Sequence, residues 1–332
     1  MKRNFVNLIV VAILLIFATI ACKKEISVTQ VKLSSTKLIL LVDKTATLTA
    51  TVLPEDATNK GVRWSSSNPS VATVTDGVIT TIAVGQTTIK AISEDTNYSA
   101  NCIVKVVSQM LEPDMVFVEG GSFTMGCTDD ECLNLELPCH QVTLKDFRIS
   151  KFLVTQKMWE FYMDYNLSKF KDNDLLPVEQ VSWNDAQMFI RNLNASTGKN
   201  YRLPTESEWE YGARGGKFSF GFKYSGSNCI DDVAWYAGNS NNKTHPVGEK
   251  APNELGIFDM SGNVWEWCSD WFGDYLADPQ NNPTGPAQGE YRVVRGGHWD
   301  IGAQRCRISS RHIGKPGNND DFIGLRLVLP ID

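Results

Sequence analysis

The segment RVVRGGHWDIGAQRCRISSRH, residues 292–312, holds one cysteine, Cys306, among several arginines. A cysteine becomes a nucleophile or a metal ligand when nearby positive charge stabilises its thiolate. The pair Gly296 and Gly297 precedes it, and glycine lets the backbone approach another group closely. Cys306 is therefore either a reactive thiol or a structural thiol whose partner lies elsewhere in the chain. This choice separates an enzyme from a protein without thiol chemistry.

A second group of residues could bind a metal ion. Asn263, Val264 and Glu266 can bring an amide oxygen, a backbone carbonyl and a carboxylate to one side of a turn, and Ca²⁺ prefers such hard oxygen ligands. In the alternative interpretation Asn263 caps a turn and Glu266 pairs with an arginine near the C-terminal end. The four histidines show no spacing typical of a zinc site.

Eight cysteines permit several disulfides if the chain is exported. Cys127 and Cys132, within CTDDEC, could form a short bridge. A pairing of Cys139 with Cys229 is only one of the combinations that the sequence leaves open. Cys102 lies in a β-rich run and is expected to be a small buried hydrophobic residue. The arginines near the C-terminal end alternate with apolar positions, which indicates solvated or carboxylate-paired side chains rather than an anion site.

The N-terminal residues have the pattern of a secretory signal. Lys2 and Arg3 precede an apolar run, residues 8–17, that is shorter than the roughly 20 residues of a membrane-spanning helix, so a retained anchor helix is the weaker interpretation. The end of this segment, TIAC, resembles the bacterial lipobox, which implies removal of residues 1–21 and acylation of Cys22. We therefore expect a lipid-anchored protein of the cell envelope with a short tether, residues 22–27. The outer membrane is preferred because a lysine, not an aspartate, follows the cysteine.

Length and charge limit the possible functions. A chain of 332 residues is comfortable for two domains, and eight of its nine tryptophans lie after residue 150, which suggests two modules of different character. The net charge is −6, and nothing in the sequence is suited to a polyanion, so no nucleic-acid partner is expected.

Residues 28–108 read as about seven short strands separated by turn residues, which predicts an all-β sandwich of the immunoglobulin type. In TATLTATV, Ala46, Leu48, Ala50 and Val52 share one face. The string VRWSSSNPSVATVTDGVITTIAVGQTTIKA resembles the bacterial Ig-like domain, group 2. The resemblance implies that Trp64 is the core tryptophan and that the module is a stalk.

After a linker at residues 109–113, residues 114–332 form a second module with mixed elements. Residues 115–126 predict a β-hairpin with a Gly-Gly turn. Three helices follow, with starts at about Thr155, at the capping box of Ser182 and Asp185, and at the similar pair Thr205 and Glu208. The residues expected on the buried face are Met158, Phe161, Tyr162 and Tyr165 in the first helix, and Ala186, Phe189, Ile190 and Leu193 in the second.

The region after residue 216 lacks helical periodicity and is rich in Gly, Asn, Pro, Asp and Trp. So long a loop-rich stretch is uncommon unless metal ions, disulfides or buried tryptophans hold it.

Four motifs in the second module, RLPTESEWEYGARGG, PNELGIFDMSGNVWEW, RVVRGGHW and IGLRLVL, occur in an order that resembles the formylglycine-generating enzyme family, also called the sulfatase-modifying factor family. The resemblance covers essentially residues 114–330. It implies an α+β fold of distorted C-type-lectin type with little regular secondary structure. It also implies structural Ca²⁺ bound by the segment that contains Asn263, Val264 and Glu266.

The resemblance also bears on Cys306. In the family's oxidases two cysteines a few residues apart follow the Gly-Gly turn, bind copper and convert a substrate cysteine to formylglycine. Here residues 300–304 occupy that region without a cysteine, and His298 replaces the usual serine. Cys306 is thus a weak catalytic candidate. Cys268 lies in the motif that packs near the turn in this fold, so we expect a Cys268–Cys306 disulfide, which would stabilise the fold by roughly 3 to 4 kcal/mol.

These observations predict a cell-envelope lipoprotein in which an Ig-like stalk presents a formylglycine-generating-enzyme-like domain. We expect that domain to act as a binding or assembly module for a protein or glycan partner that the sequence does not identify. The alternative is an atypical formylglycine-generating oxidase that modifies exported sulfatases, and only this alternative requires copper. Carbohydrate adhesion is a third possibility that rests on fold analogy alone.

Overall fold

The computed structural model of the chain describes residues 25–128 and 131–331. Contacts divide the chain into two units between Ser108 and Gln109. Cys22 and the predicted signal segment lie outside the described residues. Within the described ranges, no helix is both long enough and apolar enough to cross a membrane.

The first unit consists of β-strands. Those in its described part are β1 (Gln30–Leu33), β2 (Lys37–Leu41), β3 (Thr45–Thr47), β4 (Ala50–Leu53), β5 (Val62–Ser66), β6 (Ala72–Thr75), β7 (Val78–Thr81), β8 (Gly85–Ser93) and β9 (Ser99–Val107). They form sheets in the orders β2-β9-β8-β5, β3-β7-β6 and β1-β4. Only the β2–β9 pair is parallel among these ladders. The predicted all-β Ig-like architecture is confirmed.

The run TATLTATVL forms two strands where one was predicted. Leu48 and Val52 are buried and Ala46 and Ala50 are partly buried, so the predicted alternation holds. The backbone changes partners within the run, because β3 pairs with β7 whereas β4 pairs with β1. The alternation of buried and exposed side chains continues across this change of sheet. The hydrophobic pattern alone therefore did not reveal the division into two strands.

The core of the first unit contains two hydrophobic clusters. Trp64 is partly buried and packs against both of them. Cys102 is completely buried, and desolvation raises the pKa of its thiol to about 11. Cys102 therefore acts as a small hydrophobic residue, as predicted.

The second unit mixes short strands with four α-helices in the described part of the chain. Its strands are β10 (Met115–Val118), β11 (Gly121–Met125), β12 (His140–Leu144), β13 (Phe147–Ser150), β14 (Trp265–Trp271), β15 (Gln280–Asn281), β16 (Arg292–Arg295), β17 (Arg311–Gly314), β18 (Ile323–Gly324) and β19 (Val328–Pro330). Its helices are α1 (Gln156–Met163), α2 (Trp183–Thr197), α3 (Glu206–Ala213) and α4 (Ile230–Val233), with 3-10 turns at Asn134–Glu136, Gly216–Phe218 and Ala303–Cys306. The sheets have the orders β10-β13-β19, β11-β12-β15 and β17-β16-β14-β18. This matches the expected α+β fold with little regular secondary structure.

The predicted hairpin at residues 115–126 is wrong in its pairing. β10 pairs with β13 and β11 pairs with β12, so the two runs lie in different sheets. At Gly120 the chain passes against the connection between β12 and β13. A Cβ at this position would lie 2.4 Å from the Leu144 carbonyl oxygen and 2.6 Å from the Lys145 carbonyl carbon. The glycine permits this close passage between sheets and does not mark a hairpin turn.

All three predicted helix starts are confirmed. Thr155 caps α1 by accepting a hydrogen bond from the Met158 N–H. Ser182 with Asp185 and Thr205 with Glu208 form complete capping boxes at α2 and α3. These caps satisfy backbone donors that would otherwise lack partners in the first turn.

The predicted buried face of α2 is confirmed, but in α1 only Tyr162 of the four predicted residues is buried. The buried side chains of α1 are Gln156, Trp159, Tyr162 and Met163. Trp159 stacks on Phe189 of α2, with ring centroids 5.2 Å apart. Asp164 takes a left-handed conformation with φ 63° and ends the helix, so Tyr165 lies outside it. The large indole of Trp159 is thus buried against α2, whereas the sequence pattern placed its neighbour Met158 on the buried face.

Buried tryptophans help to hold the loop-rich half of the second unit in place through packing and hydrogen bonds. Trp209, Trp265 and Trp267 are almost completely buried. A buried indole N–H usually has a hydrogen-bond partner. Trp209 donates to the Glu266 carboxylate at 2.9 Å, and Trp267 donates to the Val181 carbonyl at 2.9 Å. These hydrogen bonds attach strand β14 to helix α3 and to the segment directly before helix α2.

We expect Gly120→Ala to destabilise the second unit by about 2 kcal/mol or more, because its Cβ would overlap backbone atoms that cannot move aside. Gly302→Ala is the matched control, since nothing lies within 4 Å of the added Cβ there. The control should stay within about 0.5 kcal/mol of the parent protein. Guanidinium unfolding followed by tryptophan fluorescence measures this unit, which holds eight of the nine tryptophans. Equal unfolding midpoints for the two variants would contradict the proposed strand passage.

Candidate functional site

The Gly-Gly turn directly contacts Cys306. Gly296 and Gly297 have positive φ values of 101° and 82°. A Cβ on Gly297 would lie 2.5 Å from the Cys306 Sγ and 3.0 Å from the Arg305 carbonyl oxygen. Glycine is therefore required at position 297 both by its backbone conformation and by the packed thiol.

Cys306 is completely buried, in a cluster with Tyr224 and Val233. Burial raises the pKa of its thiol to about 12, and a backbone hydrogen bond from His298 offsets only part of this effect. Cys268 is also completely buried, and burial raises the pKa of its thiol well above the ordinary value. Both cysteines are therefore protonated and closed to solvent at neutral pH.

The predicted Cys268–Cys306 disulfide is wrong, because the structure has both cysteines as free thiols. Cys268 lies on β14 in the large cluster that contains Trp209. Cys306 ends a 3-10 turn and lies in the smaller cluster with Val233. Proximity of the two sequence motifs in the fold did not bring these two side chains into one cluster.

The remaining cysteines divide into one bridge and two exposed thiols. Cys127 and Cys132 form the short disulfide that CTDDEC suggested. Cys139 and Cys229 are free and exposed, so the structure does not contain a bridge between them. The exposed thiols lie outside the Gly-Gly turn and its cluster.

His298 packs as a neutral ring beside the turn. His298 is 8% exposed, and its ring stacks on Phe322, with centroids 4.6 Å apart. Its Nδ1 accepts a hydrogen bond from the Asp300 N–H at 3.2 Å. Burial lowers the pKa of His298 to about 4, outweighing the opposite effect of Asp300 and Asp321. The imidazole is thus uncharged at neutral pH.

The residues predicted to bind calcium have other partners in the structure. Asn263, at φ 63°, accepts a hydrogen bond from the His245 N–H and donates one to the His245 carbonyl. Both carboxylate oxygens of Glu266 accept hydrogen bonds from the Arg326 guanidinium, at 2.6 and 2.9 Å. Val264 lies between them with its side chain buried.

This arrangement does not fit a calcium ligand set. A guanidinium already neutralises Glu266 and occupies both of its oxygens, and the amide of Asn263 holds the loop at His245. The interpretation that pairs Glu266 with a C-terminal arginine describes these contacts. Within residues 25–128 and 131–331, no group of three or more His, Cys, Asp or Glu side chains could hold a metal ion.

The other buried arginines of this region are also paired with carboxylates. Arg295 pairs with Glu210, and both side chains are completely buried. Arg311 donates two hydrogen bonds to Glu206, at 2.6 and 2.8 Å. These four residues form the central ion network. It neutralises charges that would be costly to bury singly.

A further pair joins Arg307 to Glu136, at 2.9 and 2.8 Å. The four arginines at positions 295, 307, 311 and 326 are thus carboxylate-paired, as one of the two sequence interpretations held, and none of them is solvated.

A cavity of about 360 Å³ opens beside the central ion network. Its lining includes Glu206, Asp270, Trp271, Tyr275, Leu276 and Thr284. The sequence did not predict this site, because no sequence motif indicates that the end of β14 and the loop of residues 273–286 enclose a cavity. One signal was present: Glu266, Cys268 and Asp270 alternate along β14, and the two carboxylates lie on the side that carries the buried cysteine.

Comparison with protein families agrees with this division of the chain. The model of the sulfatase-modifying factor enzyme 1-like domain matches residues 103–331. The model of the bacterial Ig-like domain (group 2) matches residues 27–104.

Two curated relatives have different names. The chain is 36% identical over 246 residues to the chaperone protein LppX of Paenibacillus barcinonensis, covering 59% of this chain and 82% of the relative. It is 37% identical over 173 residues to the formylglycine-generating enzyme of Streptomyces coelicolor, covering 47% of this chain and 53% of that enzyme. The chain spans 39% of the length of another curated relative.

Among solved structures, Treponema denticola variable protein 1 is similar, with a TM-score of 0.60 and 30% identity. The match covers 65% of this chain and 94% of that protein. The family model covers well over half of the chain, and the ordered motifs lie in the second unit. The chain therefore belongs to the sulfatase-modifying factor, or formylglycine-generating enzyme, family, with a bacterial Ig-like domain (group 2) before the family domain.

Proposed function

We propose that this protein is a cell-envelope lipoprotein whose family domain is a binding or assembly module and not an oxidase. The observation that carries the proposal is the contact between Cys306 and the Gly-Gly turn. Residues 300–304, at the place where the family's oxidases have reactive thiols, contain no cysteine, and the nearby thiol of Cys306 is sealed against Gly297.

The chemistry of an oxidase has two requirements that this arrangement does not meet. A thiol exchanges with a substrate thiol only as the thiolate, and a pKa of about 12 leaves about one Cys306 in 10⁵ ionised at pH 7. Copper(I) favours two soft thiolates held together. Cys268, the other buried thiol of this unit, packs in a different cluster.

The remaining parts of the proposal concern placement. Acylation at Cys22 would anchor the chain, with the outer membrane as the proposed location, and the Ig-like unit would serve as the stalk. The second unit would then contact a protein or glycan outside the bilayer, and nucleic acid is not among the proposed partners. A relative named a chaperone, at 36% identity, supports a role in handling another molecule. The oxidase remains the competing function, since another relative is named a formylglycine-generating enzyme.

The sealed thiols predict a selective labelling pattern. Brief treatment of the native full-length protein with iodoacetamide should modify Cys139 and Cys229, which are exposed. Cys102, Cys268 and Cys306 should be modified only in urea, because they are buried. Peptide mass spectrometry before and after reduction assigns each site. Labelling of Cys306 in the native protein would contradict the proposed function.

A turnover assay separates the two functions directly. We expect no conversion of cysteine to formylglycine in a sulfatase-derived peptide incubated with the protein, Cu(I) and oxygen. The formylglycine-generating enzyme of Streptomyces coelicolor is the positive control. Product that forms with the parent protein and disappears in Cys306→Ser would establish the oxidase instead.

The neutral state of His298 predicts a pH-dependent stability. Its pKa is about 4 in the folded protein and about 6.5 in an unfolded chain, so the unfolded state takes up the proton first as pH falls. The associated stability is complete above about pH 6.5 and is lost as pH falls towards 4. His298→Phe keeps the ring contact with Phe322 but cannot take up a proton.

The loss of unfolding free energy between pH 7 and pH 4 should therefore be about 3 kcal/mol smaller in His298→Phe than in the parent protein. Urea unfolding at several pH values measures this difference. Parallel stability curves for the two proteins would show that His298 is not buried as a neutral ring.

A further inference from the structure

The cavity beside the central ion network is formed by two parts of the second unit. Its inner side is formed by the start of α3, at Glu206, and by Asp270 and Trp271 at the end of β14. Its outer side is the loop of residues 273–286. Gly285 brings this loop over the strand, because a Cβ there would lie 2.9 Å from the Asp270 Cβ and 3.0 Å from the Trp271 carbonyl oxygen.

Asp270 is a buried carboxylate of this cavity with hydrogen bonds to only one of its two oxygens among the described residues. Asp270 as a residue is only 4% exposed. Oδ2 accepts hydrogen bonds from the Glu206 N–H at 3.1 Å and from the Ser269 hydroxyl at 2.9 Å. Oδ1 has no hydrogen-bond partner in the described part of the chain. Oδ1 is not one of the fully enclosed side-chain atoms that lack a partner, so it is accessible from the cavity and can accept a hydrogen bond from a molecule bound there.

The charges around Asp270 do not neutralise it. Glu206 is neutralised by Arg311, which donates two hydrogen bonds to it. Arg292 lies between the rings of Trp183 and Trp271, and no salt bridge joins it to Asp270 among the described residues. Asp274 adds a second carboxylate at the exposed edge of the cavity. Three carboxylates, Glu206, Asp270 and Asp274, line the cavity against one arginine, Arg311, so the lining carries an excess of negative charge when Asp270 is ionised.

The pKa of Asp270 reflects the same situation. Burial and the neighbouring Glu206 raise it to about 7, and the hydrogen bonds from Ser269 and from the Glu206 backbone oppose this rise only in part. A cation placed at Oδ1 would stabilise the ionised form. A bound anion at the same place would instead destabilise the ionised form of Asp270.

The walls of the cavity define the rest of the ligand. Trp271, Tyr275, Leu276 and Pro286 supply aromatic and aliphatic surface. A volume of about 360 Å³ lies at the lower end of the range for small-molecule sites. A bare metal ion does not suit these apolar walls, and the described residues contain no group of three or more His, Cys, Asp or Glu side chains that could hold one.

We infer that this cavity binds an organic cation, an amine or guanidinium carried on an apolar body, with Asp270 as its counter-ion. The inference rests on the proposed function of the second unit as a binding module and names the chemistry of its ligand. The cation can belong to a free amine or to a lysine or arginine side chain of a partner protein. Both sources would place the same cationic group at Asp270. They differ because a side chain of a partner protein would continue out of the cavity into the partner's backbone, whereas a free amine would not.

Isothermal titration of the full-length protein with two matched pairs of probes tests the inference. Tyramine and its neutral analogue tyrosol represent the free amine. N-acetyl-Gly-Arg-Gly-amide and its citrulline counterpart represent a protein side chain. We expect at least one cation to bind about tenfold or more tightly than its neutral partner. The tighter of the two cations identifies the source.

Two variants connect the binding to this cavity. Asp270→Asn should weaken the bound cation by about tenfold or more and change neutral probes by less than about twofold. Asp278→Asn is the matched control, because it removes an exposed carboxylate outside the cavity lining and should have no effect. Thr284→Trp places a large side chain at the exposed edge and should weaken all probes, even if Asp270→Asn fails to fold.

Equal binding of charged and neutral probes, unchanged cation binding in Asp270→Asn, or no binding of any probe would each overturn the inference. None of these results affects the proposed absence of oxidase activity, which the labelling and turnover assays measure at Cys306. Formylglycine production would overturn the proposed function without involving Asp270.

Discussion

The second unit depends on the buried ion network in which Glu206 and Glu210 of α3 pair with Arg295 of β16 and Arg311 of β17. Four charges without water are tolerated only when each is neutralised and hydrogen-bonded, because removal of one partner from such a pair typically costs about 3 to 5 kcal/mol. The network therefore permits few arrangements of α3 relative to these strands. In this fold of many loops and small sheets, the network fixes the positions of elements that a larger sheet would otherwise hold.

The same constraint shapes both regions considered for function. Strand β16 leads directly into the Gly-Gly turn, so its attachment to α3 also places the turn against Cys306. That contact closes the thiol to solvent. On the other side of the network, Arg311 neutralises Glu206 and leaves Asp270 as the carboxylate without a full set of partners. One set of ion pairs thus removes reactivity at one place and leaves an unsatisfied charge at another.

The differences between expectation and structure have a common origin. Local patterns identified the caps at Thr155, Ser182 and Thr205, because a cap is formed by residues three positions apart. The hairpin at residues 115–126 failed because strand partners are chosen by distant segments. The Cys268–Cys306 bridge failed for a similar reason, since nearness of two motifs does not specify which way a side chain points.

The sequence by itself determined the division into an Ig-like module and a family domain, the helix starts, and the lack of a second cysteine near Cys306. Those properties depend on residue type and short spacing, which remain unchanged on folding. Only the tertiary structure decided that Glu266 pairs with Arg326, that Cys306 packs under Gly297 and that Asp270 lies in a cavity. Each of these contacts joins residues from separate elements, and burial, which acts on the assembled chain, decides the protonation and pairing of their side chains.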